Sequence, residues 1–285
     1  MAISDISLTS SMRANLINLQ KTADLVGRTQ ERLASGKKVN SALDDPTSYF
    51  AAQGLNASAG DLAALKDSMG QAIQTINAAN AGITAITQLI ASAKGIAQSA
   101  LASGSSTDIA NYAKQFDTIL TQINNLASDS GYRGTNLLQG TTTLTVAFNA
   151  SGTNSLSMTG QTAAAYGSGG LGLTTANAGA SVWATAGGTI TSGNMTTALS
   201  NLDAASNTLR SMAANLSSGL SIVQTRINFT TDMVSTLQTG ADKLTLADMN
   251  EEGANMLALQ TRQSLSTTAL SLSSQANQSI LRLFQ

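Results

Sequence analysis

Twelve apolar or small residues between Leu62 and Ala100 recur at alternating steps of three and four: Leu62, Leu65, Met69, Ala72, Ile76, Ala79, Ile83, Ile86, Ile90, Ala93, Ala97 and Ala100. A helix keeps such a row on one side, so the row presents a continuous seam to a partner helix. A seam of this length, about 58 Å at 1.5 Å per residue, is too long for the core of a small round domain and predicts a slender helical rod. A second row of the same length runs through Leu199, Leu202, Ser206, Leu209, Ala213, Leu216, Leu220, Val223, Ile227, Thr230, Val234 and Leu237. A shorter one, Ile109, Tyr112, Phe116, Ile119, Ile123 and Leu126, follows Ser105-Ser106-Thr107-Asp108, a cluster suited to cap a helix start. The region of Gly104 then reads as a tight turn, and the three rods can bundle within one molecule.

The two ends of the chain carry looser rows. One is Leu8, Met12, Leu16, Leu19, Ala23, Val26, Gln30 and Leu33; the other is Leu265, Ala269, Leu272, Ala276, Ile280 and Leu283. Both are rich in polar residues, and short amphipathic helices of weak propensity are not stable alone. These terminal helices are expected to pair with each other or with other copies. Charge favours pairing slightly: residues 1–40 hold six bases against three acids, and residues 241–285 hold four acids against three bases.

Between Gly134 and Leu202 no residue is charged, and Thr, Ser, Gly, Ala and Asn dominate. Leu144, Val146 and Phe148 alternate with Thr145 and Ala147, the period of a half-buried strand, and Val182, Trp183 and Ile190 can seed a second hairpin; the alternative for the stretch is a low-complexity linker. The expected fold is mainly α: a long coiled-coil-like helical bundle with paired terminal helices and a small central β-rich outer module.

Composition excludes much chemistry. With no Cys and no His, a disulfide framework, imidazole metal ligation and a His-based triad are unavailable. A net charge of −1 gives no footprint for nucleic acid. No apolar run of about 20 residues spans a membrane, and the start shows no cleavable leader, which leaves export by a leaderless route open. Asp44-Asp45-Pro46 reads as a helix stop and restart, because proline suits a first helical turn and disfavours helix just before it. Glu251-Glu252, near Asp242 and Asp248, reads as the acidic first turn of another helix. No phosphate loop or dinucleotide fingerprint is present, so the expectation is a non-enzymatic chain with no cofactor and no metal.

Glu31-Arg32-Leu33-Ala34-Ser35-Gly36-Lys37-Lys38-Val39-Asn40-Ser41-Ala42, followed by Asp44-Asp45, closely resembles the N-terminal signature of bacterial flagellins. Ala247-Asp248-Met249-Asn250-Glu251, Gln275-Ala276-Asn277-Gln278 and Ile280-Leu281-Arg282-Leu283-Phe284 resemble the opposite end of the same family, and Tyr132-Arg133-Gly134-Thr135-Asn136-Leu137-Leu138 its turn after the third helix. The likeness spans residues 1 to about 140 and about 195 to 285. Ser4-Asp5-Ile6-Ser7 and Pro46-Thr47-Ser48 depart from the usual pattern.

The resemblance implies a self-assembling filament subunit for motility, exported unfolded through the flagellar type III pathway to the extracellular flagellum. It implies self as the main partner, with an export chaperone, the filament cap and hook-filament junction proteins. Residues 1–35 with 250–285 would form an inner terminal-helix domain, 36–55 a spoke, 56–140 with 195–249 an outer helical bundle, and 141–194 a small solvent-facing module. The polymerisation interface is expected at Leu8, Met12, Leu16, Leu19, Val26, Leu33, Leu265, Leu272, Ala276, Ile280 and Leu283, with Asp44, Asp45 and Pro46 at the spoke turn. Rival readings are a junction protein sharing the terminal helices, an adhesin using Trp183 and Tyr166 as sugar platforms, and a protease embedded in the middle, which the missing His opposes.

Overall fold

The computed structural model describes residues 10–167, 169–177, 182–185 and 188–283. Its elements are α1 (Ser10–Ser35), α2 (Pro46–Ala102), α3 (Ser106–Asp129), β1 (Thr143–Ala147), β2 (Ser155–Thr159), α4 (Ser192–Thr245) and α5 (Met249–Leu283). Contacts divide the chain into two compact units, Met1–Ala59 with Ser235–Gln285, and Gly60–Val234.

Both long helices outrun their seams. α2 has 57 residues and α4 has 54, about 85 and 81 Å at 1.5 Å per residue. The early part of α2 lacked a visible row because its buried positions are the small Ala52 and Ala59. Leu55 there lies against the bare backbone of Gly240.

The core of the Gly60–Val234 unit follows the predicted rows closely. Ile76, Ile83, Ile86 and Ile90 of α2 are buried with Ile109, Phe116 and Ile123 of α3 and Leu202, Leu209 and Leu216 of α4. On α3 the buried face also takes Ala113, Leu120 and Ala127, while Tyr112, Ile119 and Leu126 are partly buried and pack against this core. A helix packed on more than one neighbour buries a stripe wider than a two-position seam. α2 passes to α3 through Ser103–Ser105, where the Ser105 hydroxyl accepts from the Asp108 N–H at 3.3 Å.

The central stretch differs from its expectation. β1 and β2 pair antiparallel, from Thr143 opposite Thr159 to Ala147 opposite Ser155. Val146 is buried with Met69, Ala72 and Val223. Among the described residues, the second hairpin is represented by a bridge between Ala184 and Ile190.

Nor do the described parts of residues 161–190 simply face solvent. Ala163, Ala165, Leu171, Leu173, Ala176 and Trp183 are buried in the main core, and the Trp183 ring sits 4.8 Å from that of Phe116, centroid to centroid. Side chains of α3 hold the backbone of this stretch. Asn124 Oδ1 accepts from the Ala165 N–H at 2.8 Å, and Asp117 accepts from the Ala176 and Asn177 N–H groups at 2.6 and 3.1 Å. Burial pushes the Asp117 carboxyl above its ordinary range, against the pull of those two N–H donors. A segment this poor in large apolar residues cannot make a core of its own, so it borrows one.

Candidate functional site

In the other unit α1 packs on α5, and the chain between them is tightly pinned. α1 ends at Gly36, whose φ of 71° is left-handed; its N–H donates to the Arg32 carbonyl at 2.8 Å. This is the usual glycine device for stopping a helix. The Lys38 N–H donates to the Thr245 carbonyl at 2.8 Å, and the Ala247 N–H to the Gly36 carbonyl at 3.0 Å. The exit of α1 is thereby sewn to the α4–α5 junction, and α1 and α5 run antiparallel.

The two aspartates before Pro46 have distinct tasks. Asp44 Oδ2 accepts from the N–H groups of Asn40 and Ser41 at 3.1 and 3.0 Å and from the Ser41 hydroxyl at 3.2 Å. Asp45 caps α2, its Oδ1 accepting from the Thr47 and Ser48 N–H groups and its Oδ2 from the Ser48 hydroxyl at 2.6 Å. Hydrogen bonds to the ionised form hold both carboxyls below the usual carboxylate range. The Ser41 N–H acts most strongly on Asp44, and the Ser48 hydroxyl on Asp45. Asp248 caps α5 in the same way, through the Asn250 and Glu251 N–H groups.

Arg32, Lys38, Asp44, Asp45, Asp248, Glu251 and Glu252 border one cleft of about 360 Å³. Among the described residues no three carboxylates are placed to hold a metal ion. The one buried acid here, Glu252, meets Arg32 at 2.9 Å, so the cleft's chemistry is structural pairing.

Along the helices the buried or half-buried positions of α1 are Met12, Asn15, Leu19, Thr22, Val26, Thr29, Arg32 and Leu33. Those of α5 include Glu252, Met256, Leu259, Gln263, Ser266 and Leu270. Both sets step by threes and fours, yet only Thr29, Glu252 and Leu259 are fully buried among the described residues of these helices. The apolar residues on the outward side stay in water: Leu16, Ile17 and Leu25 on α1, and Leu257, Leu265 and Leu272 on α5, the last three 63–67% exposed.

The residues expected at an interface therefore divide. Met12, Leu19, Val26 and Leu33 lie on the inward side of α1, whereas Leu16, Leu265, Leu272 and Ala276 are exposed. Leu8 lies outside the described residues, as do the side chains of Ile280 and Leu283. Pairing of α1 with α5 uses the Leu259–Leu270 phase of α5, not the Leu265–Leu272 phase. Stepping back from Leu270 through Ser266, Gln263, Leu259 and Met256 leads to Glu252, a signal that polar residues in the row obscured.

Trp183, one of the two candidate sugar platforms, is buried, and Tyr166 is partly exposed. An aromatic face inside a core cannot stack on a sugar, which removes the main support for the adhesin reading.

The model for the bacterial flagellin N-terminal helical region matches residues 3–143, and that for the C-terminal helical region matches residues 199–284. The chain belongs to the bacterial flagellin family. Flagellin FljM of Caulobacter vibrioides is 32% identical over 100% of both chains, and flagellin FljO of the same organism is 30% identical over the same extent. A solved flagellin from Bacillus cereus overlays with a TM-score of 0.47 and 14% identity, covering 57% of this chain and 88% of that one. Flagellins are structural proteins of the flagellar filament, so this chain is a filament structural subunit by family. No helix among its described residues is long and apolar enough to cross a membrane.

Proposed function

We propose that the chain polymerises into the flagellar filament by covering the outward faces of α1 and α5 with neighbouring copies. The exposed row of Leu257, Leu265 and Leu272 carries this reading. α1 and α5 form a two-helix pair with a half-polar seam, and three leucines two-thirds in water face away from it. Covering the exposed part of those leucines returns roughly 3–6 kcal/mol per copy, before the cost of ordering the helices. The pair is therefore weakly stable in the free chain and firm in the polymer, which links its order to assembly.

In this scheme residues 1–35 with 250–285 line the inside of the filament, 36–55 act as the spoke, and 56–140 with 195–249 form the outer bundle, onto which the 141–194 stretch docks. The subunit leaves the cell unfolded through the flagellar type III route and works outside it, helped by an export chaperone, a cap and hook-filament junction proteins. A cysteine-free chain fits passage in the unfolded state, since no disulfide can knot it. Inactivating the flagellar export gate should leave the chain inside the cell; its undiminished appearance in the medium would sink the export route.

The assembly reading is tested with Leu265→Asp/Leu272→Asp. The variant should fail to sediment when seeded with filament fragments, while the fluorescence of the lone Trp183 remains that of a buried indole. Normal filaments from this variant would overturn the reading.

A further inference from the structure

Arg133 is the one non-glycine residue among those described with a left-handed φ, 49°. It stands in a tight turn that Tyr132 and Thr135 close with reciprocal backbone bonds of 2.9 and 3.0 Å. Turns of this kind favour Asn, Asp or Gly at that place, because a bulkier side chain crowds the backbone there. An arginine kept against the turn's own preference points to a task for its side chain.

The guanidinium is held in place from both sides. Gln71 Oε1 on α2 accepts from the Tyr132 hydroxyl at 3.0 Å and from Arg133 Nη1 at 3.2 Å. Asn136 Nδ2 ties the far end of the turn to the Ala127 and Ser128 carbonyls at 2.8 and 2.9 Å. Among the described residues, ion pairs join Arg32 to Glu252 and Lys94 to Asp203, and no carboxylate pairs with Arg133. Asp67, one helical turn before Gln71, does not line the hollow beside it.

That hollow, of about 190 Å³, lies between α2, the turn and β1 and opens to solvent. Arg133 is the cation on its wall, Ser68, Thr135 and Thr145 bring hydroxyls, and no acid lines it. One cation with no opposing acid suits an anion. The planar fork of N–H donors left beyond Gln71 matches both oxygens of a carboxylate, and the hydroxyls can serve its remaining lone pairs.

We infer that this pocket binds a carboxylate. The group comes from a small hydroxylated acid of the sugar-acid kind or from an acidic side chain of a neighbouring copy. The pocket stands without the filament reading; only the second source rests on it.

Free monomer is titrated with sodium glucuronate, at low salt because an exposed charge is easily screened, and the Arg133 Nε–Hε resonance is followed by NMR. Glucuronate should move it saturably, glucose should leave it in place, and sulfate should bind more weakly. Arg133→Lys gives up the fork and should weaken glucuronate about tenfold or more. Arg133→Asn, which the turn accepts, should abolish the response of the Tyr132 and Thr135 amides without lowering the melting temperature.

The two sources separate on assembly. If a neighbouring copy supplies the carboxylate, Arg133→Asn raises the critical concentration for polymerisation about tenfold, and glucuronate inhibits assembly of the wild-type chain. If the source is a free acid, both leave assembly unchanged and finished filaments still take up glucuronate. No movement of the Arg133 resonance, equal binding of sulfate, or binding retained in Arg133→Asn overturns the inference and leaves the filament reading intact. Failure of the wild-type chain to polymerise removes that reading and the second source together, while saturable binding to the monomer still upholds the pocket.

Discussion

Replacing Trp183 with alanine tests whether the uncharged central stretch is part of the helical core. The indole is 1% exposed, lies against Phe116 at 4.8 Å between centroids with the rings tilted at 49°, and belongs to a core shared with α2, α3 and α4. Truncating a buried aromatic of this kind costs about 3–5 kcal/mol, and the aromatic pair adds about 0.5–1.5 kcal/mol of coupling within that total. A sizeable share of the stability of an ordinary domain would be lost.

The assay is urea unfolding followed by far-ultraviolet circular dichroism, since the mutation deletes the only indole. The transition of the Gly60–Val234 unit should move to lower urea by about 4 kcal/mol at unchanged slope. Phe116→Leu made alone and with Trp183→Ala closes a double-mutant cycle whose coupling should be about 1 kcal/mol. A loss below about 1 kcal/mol for Trp183→Ala would show that residues 161–190 hang loosely on the bundle and would refute the packing account.

Glu252→Ala leaves the Arg32 guanidinium without its carboxylate, and because Arg32 is 31% exposed water takes part of the role; the α1–α5 pair should lose about 1–3 kcal/mol, read as faster amide exchange in both helices. Gly82→Ala drives a methyl into Ser130 Oγ and Cβ and Leu138 Cδ1, and should cost about 1–3 kcal/mol of thermal stability, with partial recovery when Ser130→Gly is added. Acid titration should separate the aspartates by sign. Asp44 and Asp45 are lowered, so their contribution is complete above the ordinary value of 3.8 and is lost as pH falls through their folded values. Asp117 is raised, so its contribution is complete below 3.8 and is lost as pH rises through its folded value. Carboxyl carbon shifts followed by NMR check both directions, and Asp117→Asn should flatten the second.

The long helices were legible because a seam of large residues shows its period over many turns: Ile76, Ile83, Ile86 and Ile90 lie where the spacing placed them. The start of α2 was not, because Ala52 and Ala59 bury too little area to stand out against neighbouring alanines. The docked central stretch was hidden for another reason. Its anchors, Asn124 for Ala165 and Asp117 for Ala176, bridge 41 and 59 residues, and a polar side chain does not announce a backbone partner that far away. On α5 two apolar phases compete. Leu265 and Leu272 mark one, whereas Leu259 and Leu270, joined by polar Gln263 and Ser266, mark the one that meets α1, and the larger side chains drew the reading to the outward face. The restart of helix at Pro46 could be read because proline suits a first helical turn, but the stop expected at the same turn lies earlier, at Gly36.

The central claim is that the order of α1 and α5 is completed by neighbouring copies, and amide hydrogen exchange resolved along the chain tests it most directly. In free monomer, amides of Ser10–Ser35 and Met249–Leu283 should exchange within seconds to minutes while those of α3 stay protected. After seeded polymerisation the terminal helices should gain protection of at least a hundredfold, the ratio that about 3 kcal/mol of added cover supplies. Terminal helices already as protected in the monomer as α3, with no gain in the polymer, would contradict the account.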